Sequence, residues 1–261
     1  MRSLRGRLRG GERPVLATFV MIPRIEIVEL VAAAGFEAVI FDLEHGPIAA
    51  TDLPPLSAAA TAAGIFSIAR APTNASWVVG NLLDNGVDGV LVPHIESGED
   101  ARRLGAAGRF AGEGERSLNP FVRGNRYGLG EDGGTGAANE RVAVIAMAEG
   151  EAALKSFDEI ATAPGIDAVF VGPVDLSSAL GYAGDTEHPE VIAAIRELFA
   201  RAAELGVTIA VYAHEAPAAR RWLDLGAGLV ALSADAAMAY RGFRAVRAEL
   251  GELTEPGAAP G

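Results

Sequence analysis

The 261-residue chain contains no cysteine. Disulfides, thiolate nucleophiles and cysteine-ligated zinc or iron–sulfur centres are therefore excluded. Lysine is almost absent as well: of 22 Lys and Arg residues, only Lys155 is lysine. Any Schiff-base chemistry would have to use that one residue. No apolar run approaches the roughly 18–20 residues of a membrane span. Positive charge is in deficit, with a net charge of −12, which argues against a general nucleic-acid binder. Aromatic residues make up only 6% of the chain, but half of it is hydrophobic, enough to build a core at this length. The length accommodates one large α/β barrel or two small domains.

What is present is a regular alternation. Short runs rich in Val, Ile and Phe recur at Val15–Val20, Ala38–Glu44, Phe66–Arg70, Gly89–Ile95, Val142–Glu149, Ala168–Gly172, Thr208–Tyr212 and Leu229–Ser233. Their near-continuous hydrophobicity is the pattern of parallel strands buried on both faces. Amphipathic stretches such as Ile25–Ala34, Asp52–Ala63 and Pro189–Leu205 lie between them. Gly35, Gly64, Gly86, Gly206 and Gly226 follow the ends of these stretches, as helix-terminating glycines do. Eight strands alternating with helices over about 240 residues predict a (β/α)8 barrel. The alternative is a doubly wound open sheet. That fold usually carries a glycine-rich phosphate turn after its first strand, whereas Met21-Ile-Pro-Arg24 follows here.

The predicted barrel domain covers residues 1–250. It carries a long glycine-rich loop at about 110–141, and residues 251–261 form a flexible tail. The arginine-rich segment Met1–Pro14 lacks the apolar region of a secretory signal. It reads as a surface helix leading into the domain, with a basic targeting peptide as the rival reading. Trp77 and Trp222 are most simply core or interface residues. His188 reads as a helix start at the surface.

Barrel active sites gather at the C-terminal ends of the strands, and polar residues cap four of the apolar runs. The second ends Phe41-Asp42-Leu-Glu44-His45-Gly-Pro47, the third at Arg70, the fifth at Met147-Ala-Glu149, and the sixth at Gly172-Pro173-Val174-Asp175. Glu149 and Asp175 lie one βα unit apart. Two carboxylates on neighbouring strand ends repel unless a cation or proton separates them, and a hard divalent cation suits such oxygen ligands. The rival reading has one carboxylate capping the next helix and the other in a surface ion pair. His45 is a candidate general base, and Arg70 a candidate for stabilising an oxyanion or enolate. Their rival reading is a structural histidine and an arginine paired with Asp42 or Glu44. His94 and His214 close the fourth and seventh strands, where either could line the mouth. Lys155 lies past the fifth strand end, within the expected helix Glu151–Ala161, so neither a Schiff base nor pyridoxal phosphate is expected.

Phe41-Asp-Leu-Glu-His45-Gly-Pro47, Arg70, Leu83-Asp84-Asn-Gly86, Gly89-Val-Leu-Val-Pro93, Glu149, Val171-Gly-Pro-Val-Asp175-Leu-Ser177 and Gly181-Tyr-Ala-Gly184 with His188-Pro189 together resemble the HpcH/HpaI aldolase/citrate lyase family. The closest type is the class II pyruvate aldolase represented by 4-hydroxy-2-oxoheptanedioate aldolase. The resemblance spans roughly residues 10 to 250. It implies a cytoplasmic, homo-oligomeric (β/α)8 barrel, trimeric or hexameric, with no nucleic-acid or membrane partner. It further implies an aldehyde-lyase joining pyruvate and an aldehyde through a metal-stabilised enolate, with oxaloacetate decarboxylation as a side activity. By resemblance, Glu149 and Asp175 hold Mg²⁺, Mn²⁺ or Co²⁺. Gly172, Pro173, Val174 and Asp175 receive the substrate carboxylate, with Met147 and Asp42 near the pocket. Arg70 stabilises the enolate, and His45, oriented by Asp84, transfers protons. Two departures from the family pattern fall near the expected pocket: Met147 stands where glutamine is common, and Gly114-Glu-Arg116-Ser117 replaces a Gly-x-Arg-Gly string. They bear on the acceptor and leave open a Claisen-type condensing enzyme or CoA-ester lyase on the same barrel. A non-catalytic oxo-acid-binding barrel is the remaining alternative.

Overall fold

The computed structural model describes residues 3–11, 13–129 and 134–250. Eight parallel strands close a barrel in chain order: β1 (Val15–Val20), β2 (Ala38–Asp42), β3 (Phe66–Arg70), β4 (Gly89–Val92), β5 (Ala143–Ala148), β6 (Ala168–Val171), β7 (Ile209–Ala213) and β8 (Leu229–Ala234). Closure of β8 onto β1 removes the open doubly wound sheet from consideration. The helices are α1 (Leu4–Gly10), α2 (Ile25–Ala33), α3 (Leu53–Ala62), α4 (Ser76–Asp84), α5 (Gly98–Gly108), α6 (Gly134–Arg141), α7 (Glu151–Lys155), α8 (Phe157–Ala161), α9 (Pro173–Ala179), α10 (Pro189–Leu205), α11 (Ala216–Asp224) and α12 (Asp235–Glu249). The expected helix over 151–161 is thus two short helices that meet at Ser156, whose ψ of 12° breaks the first. Gly35 and Gly226 end their helices with φ of 89° and 93°, a conformation that costs glycine little. The expected tail at 251–261 lies outside the described residues, as does part of the long loop.

Strand side chains alternate between two apolar layers. Phe19, Ile40, Ile68, Ile145 and Phe170 fill the barrel interior, while Val39, Phe41, Val144 and Val211 face the helical shell. The N-terminal segment departs from the surface helix expected of it. Leu4 and Leu8 are buried among the interior side chains, and a Cβ on Gly89 would lie 3.0 Å from Leu4 Cδ2. The physical reason is their four-residue spacing, which aligns both leucines on one helix face. The helix therefore plugs the end of the barrel opposite the strand C-termini.

Its arginines are consumed in that role. Asp167, fully buried at its side chain, accepts from Arg5 Nε at 3.1 Å, lies 2.9 Å from Arg9 Nε and pairs with Arg109. It also accepts the Val144 N–H at 2.8 Å. Asp167→Ala would strand the buried Arg109 guanidinium. Removing one partner of a buried ion pair typically costs about 3–5 kcal/mol, which urea unfolding will read as a lowered midpoint. A loss under about 1 kcal/mol would show that the cluster is solvated.

Candidate active site

Register places the first pair of functional side chains. Asp42 ends β2 directly opposite Arg70 at the end of β3. Arg70 donates from Nε to Asp42 Oδ1 at 2.9 Å and from Nη2 to Oδ2 at 2.5 Å, a bidentate pair. Its Nη1 lies 3.3 Å from Glu44 Oε2, and its guanidinium stacks 4.8 Å above the Phe19 ring. Three of the five guanidinium donors are engaged in this way, leaving two for a ligand. Asp42 also accepts the backbone N–H groups of Glu44 and His45, both at 3.1 Å. Burial pushes its carboxyl up, but Arg70 and these N–H groups more than offset it and hold it below the usual range. Asp42, expected to bind substrate, commits its oxygens to the clamp on Arg70 and to the turn after β2. That turn needs glycine at position 46, where a Cβ would sit 2.4 Å from the Asp42 carbonyl oxygen.

The second pair lies across the mouth. Glu149 follows β5 and is 9% exposed; Asp175 stands in the first turn of α9, after β6. Burial pushes the Glu149 carboxyl up. The His94 N–H opposes this and the Asp175 charge adds to it, so the net displacement is upward. Burial is the main cause, and the Asp175 charge is a smaller like-charge contribution in the same direction. Gly172 keeps the space beside Glu149 clear, since a Cβ there would lie 3.0 Å from Met147 Cε and 3.3 Å from Glu149 Oε2. Two hard oxygen donors with room for water or substrate oxygens fit Mg²⁺ or Mn²⁺. Among the described residues no group of three or more His, Asp or Glu side chains is arranged to hold a metal; Glu149 and Asp175 are the two that would hold one here.

Arg70 and Asp175 share a cavity of about 310 Å³, lined also by Asp42, His45, Met147 and the Gly172–Val174 segment, with Phe19, Phe170 and Tyr212 as its aromatic wall; Glu149 is not among its lining residues. Phe19 meets Phe170 and Tyr212 edge-on at 6.3 and 6.0 Å. Larger hollows, of 750 and 830 Å³, lie in the outer helical layer away from the strand ends. His45 projects into solvent, with Nε2 3.7 Å from Glu44 Oε2.

Other candidates are placed elsewhere. Asp84 ends α4, next to the N-terminal end of β4, and accepts from Arg116 Nη2 at 2.6 Å. A helix that starts at the mouth and runs back along the barrel carries its last residue to the opposite end. Asp84 therefore does not orient His45 within its own chain, and a role at a mouth requires a second copy. Arg116 is buried over the Phe110 ring beside Asp84, so it too is remote from the cavity that Met147 lines. His214 contacts the Tyr212 hydroxyl at 3.4 Å, outside the cavity lining. His188 caps α10, its Nδ1 accepting from the Glu190 N–H. Trp222 is core, but Trp77 is 77% exposed. Sequence reasoning missed Phe19 and Tyr212; their signal was position, as bulky residues near strand C-termini facing the interior.

Lys155 pairs with Glu151 on the exposed outer face, at 2.6 Å. Lys155→Ala is expected to leave turnover within about twofold, because exposed pairs of this kind contribute little. Borohydride with pyruvate should trap no adduct, and mass spectrometry of the treated protein checks this directly.

Polar strand ends around an open cavity at the C-terminal face of a closed parallel barrel define an enzyme of the (β/α)8 class. The chain belongs to the HpcH/HpaI aldolase/citrate lyase family, whose model matches residues 16–241. It is similar to the 5-keto-4-deoxy-D-glucarate aldolase of Klebsiella pneumoniae subsp. pneumoniae, with 35% identity over 79% of this chain and 80% of the relative. Among solved structures, an HpcH/HpaI aldolase/citrate lyase family protein from Burkholderia cenocepacia J2315 superposes with a TM-score of 0.90 at 31% identity, over 97% of this chain and all of the other. The citrate synthase SbnG superposes with a TM-score of 0.84 at 30% identity, over 95% and 97% of the two chains. Among the described residues no helix is long and apolar enough to cross a membrane.

Proposed function

We propose that the protein is a divalent-metal-dependent aldehyde-lyase that splits a 4-hydroxy-2-oxo acid into pyruvate and an aldehyde, or joins them. The observation that carries this reading is a cavity lined by both the rigidly clamped Arg70 and Asp175, with the Glu149 carboxylate beside Gly172 and electrostatically coupled to Asp175. The aldolase relative supports it. Glu149 and Asp175 would hold the cation, which when bound supplies a Lewis acid that polarises the 2-oxo group. The first turn of α9 offers the Val174 and Asp175 N–H groups, which lack helical acceptors, to the substrate carboxylate; Pro173 has no N–H to offer.

In the cleavage direction His45 takes the proton from the C4 hydroxyl. The C3–C4 bond breaks, its electron pair passes to C3 as the enolate, and the aldehyde leaves. Arg70, with its two remaining donors, stabilises the negative oxygen, and protonation at C3 completes pyruvate. Oxaloacetate would lose CO₂ to the same enolate as a side activity. The enzyme would act in the cytoplasm as a homo-oligomer, a trimer or hexamer, on small oxo acids and aldehydes. The exposed Tyr240, Phe243 and Val246 of α12 support association of copies.

The test is metal-dependent exchange of the pyruvate C3 protons into D₂O, followed by an aldehyde screen with Mg²⁺, Mn²⁺ and Co²⁺. A binding protein without catalysis would take up pyruvate and exchange nothing. His45→Ala should lower aldol turnover by about 10²–10⁴, the usual general acid–base contribution, and oxaloacetate decarboxylation much less, because that reaction has no C4 hydroxyl proton to move. Equal losses would assign His45 to positioning pyruvate. The similarity to SbnG favours one second reading, a citrate-synthase-like condensation in which the enolate carbon adds to the keto group of an oxo-acid acceptor. Product formation from oxo-acid acceptors but from no aldehyde would select it.

A further inference from the structure

His94 lies just beyond β4 and belongs to neither half of the site described above. Its backbone is left-handed, with φ of 55°, a conformation uncommon for a residue other than glycine. Burial does not explain the choice of residue, because the side chain is 69% exposed. What the conformation achieves is a double grip on Glu149. The His94 N–H donates to Glu149 Oε1 at 3.1 Å, and Nδ1 lies 3.2 Å from the same oxygen. Oε1 is thereby committed to His94. Oε2 is the oxygen beside Gly172, 3.3 Å from where a Cβ would stand, on the side of α9 and Asp175. The other ring nitrogen, Nε2, lies 3.3 Å from Glu44 Oε1, and Glu44 Oε2 lies 3.3 Å from Arg70 Nη1. The Ile95 N–H donates to the Met147 carbonyl at 3.2 Å, pinning this loop to β5.

We propose that His94 is a positioning residue that orients Glu149, presenting Oε2 to the cation, and ties the carboxylate pair to the Arg70 clamp through Glu44. The inference rests on the reading of Glu149 and Asp175 as the metal site. Groups that hold a metal-ligating side chain in place typically contribute about 10–100-fold to metal affinity. Strained backbone at a mouth residue is expected where the geometry it enforces is used.

The experiment is a Mn²⁺ titration of metal-free protein, followed by electron paramagnetic resonance of the free ion, alongside thermal unfolding. The parent chain and the variants Glu149→Gln, His94→Gly and His94→Asn are compared. Glycine keeps the N–H and relieves the left-handed strain, so His94→Gly should melt at or above the parent temperature yet bind Mn²⁺ about 10–100-fold more weakly. Asparagine tolerates the left-handed region and returns a short polar group, so His94→Asn should fall between the two. A structural histidine would give the reverse, a lower melting temperature with unchanged Mn²⁺ affinity, and that result overturns the inference. If Glu149→Gln loses Mn²⁺ while His94→Gly binds like the parent, the inference fails and the metal site stands. If the parent chain binds no Mn²⁺, both fail.

Discussion

Glu149→Gln and Asp175→Asn should each yield a folded protein that has lost Mn²⁺ affinity and turnover together. Each replacement keeps the shape of the side chain and removes half of the anionic donor set, leaving one carboxylate for a divalent ion. Loss of Lewis-acid assistance worth several kcal/mol corresponds to about 10³ or more in rate. Calorimetric titration of metal-free variants and kinetics after metal addition check the two effects separately. Full turnover in either variant, after chelation and metal titration, counts decisively against the site.

Stability of the metal-free protein should respond in the opposite sense. Burial and then the Asp175 charge hold the Glu149 carboxyl above its usual range, net of the His94 N–H. A carboxyl raised in this way favours the folded state most below its unfolded pKa, and that advantage is lost as pH rises through the folded value. Without metal, Glu149→Gln should therefore melt higher than the parent at pH 7–8. The difference should shrink on acidification toward the ordinary carboxylate range. Melting curves across pH 4–8 in chelator read this directly, and a pH-independent difference would assign the effect to packing.

Arg70→Ala should remove both aldol turnover and oxaloacetate decarboxylation, by about 10²–10³ each, the usual consequence of losing one oxyanion partner. Both reactions pass through the enolate, so a residue that stabilises its oxygen serves both. Arg70→Lys should recover little, because a lysine ammonium cannot reproduce the bidentate pairing with Asp42 and still reach Glu44. Arg70→Ala also leaves Asp42 buried without its cation, and its carboxyl should move up from the depressed position it now holds. Parallel assays of the two reactions settle the assignment. Retained decarboxylation with lost aldol turnover would place Arg70 on the acceptor side of the cavity.

Much of the fold was legible because its signals are local. Buried parallel strands demand near-continuous apolar runs, and helix ends demand glycine or a substitute, so strand positions and the barrel count followed from residue order. The strand-end placement of Arg70, Glu149 and the Gly172–Asp175 segment was legible for a related reason: polar residues stand out where apolar strand runs end. The N-terminal helix was misread because its arginines look solvated until Asp167, from a distant strand entry, is brought beneath Arg5 and Arg9. The distance of Asp84 from the mouth of its own barrel was not legible, because sequence order does not say at which end of the barrel a helix stops.

Residue order and hydrophobic period thus suffice for the barrel, for the ends of its strands and for which titratable side chains stand there. The absence of cysteine and the single, outward-facing lysine likewise needed no coordinates to narrow the chemistry. The pairings were decided only by the closed tertiary structure. Strand register sets Asp42 against Arg70, the left-handed turn at His94 aims its N–H at Glu149, and closure brings Phe19 of β1 to Tyr212 of β7 with only β8 between them. The reason is that a strand's own sequence sets which face a side chain takes, with period two. Which partner it meets depends on the register of its neighbours and the path of the loops between them, and that information lies in the packing of the whole barrel.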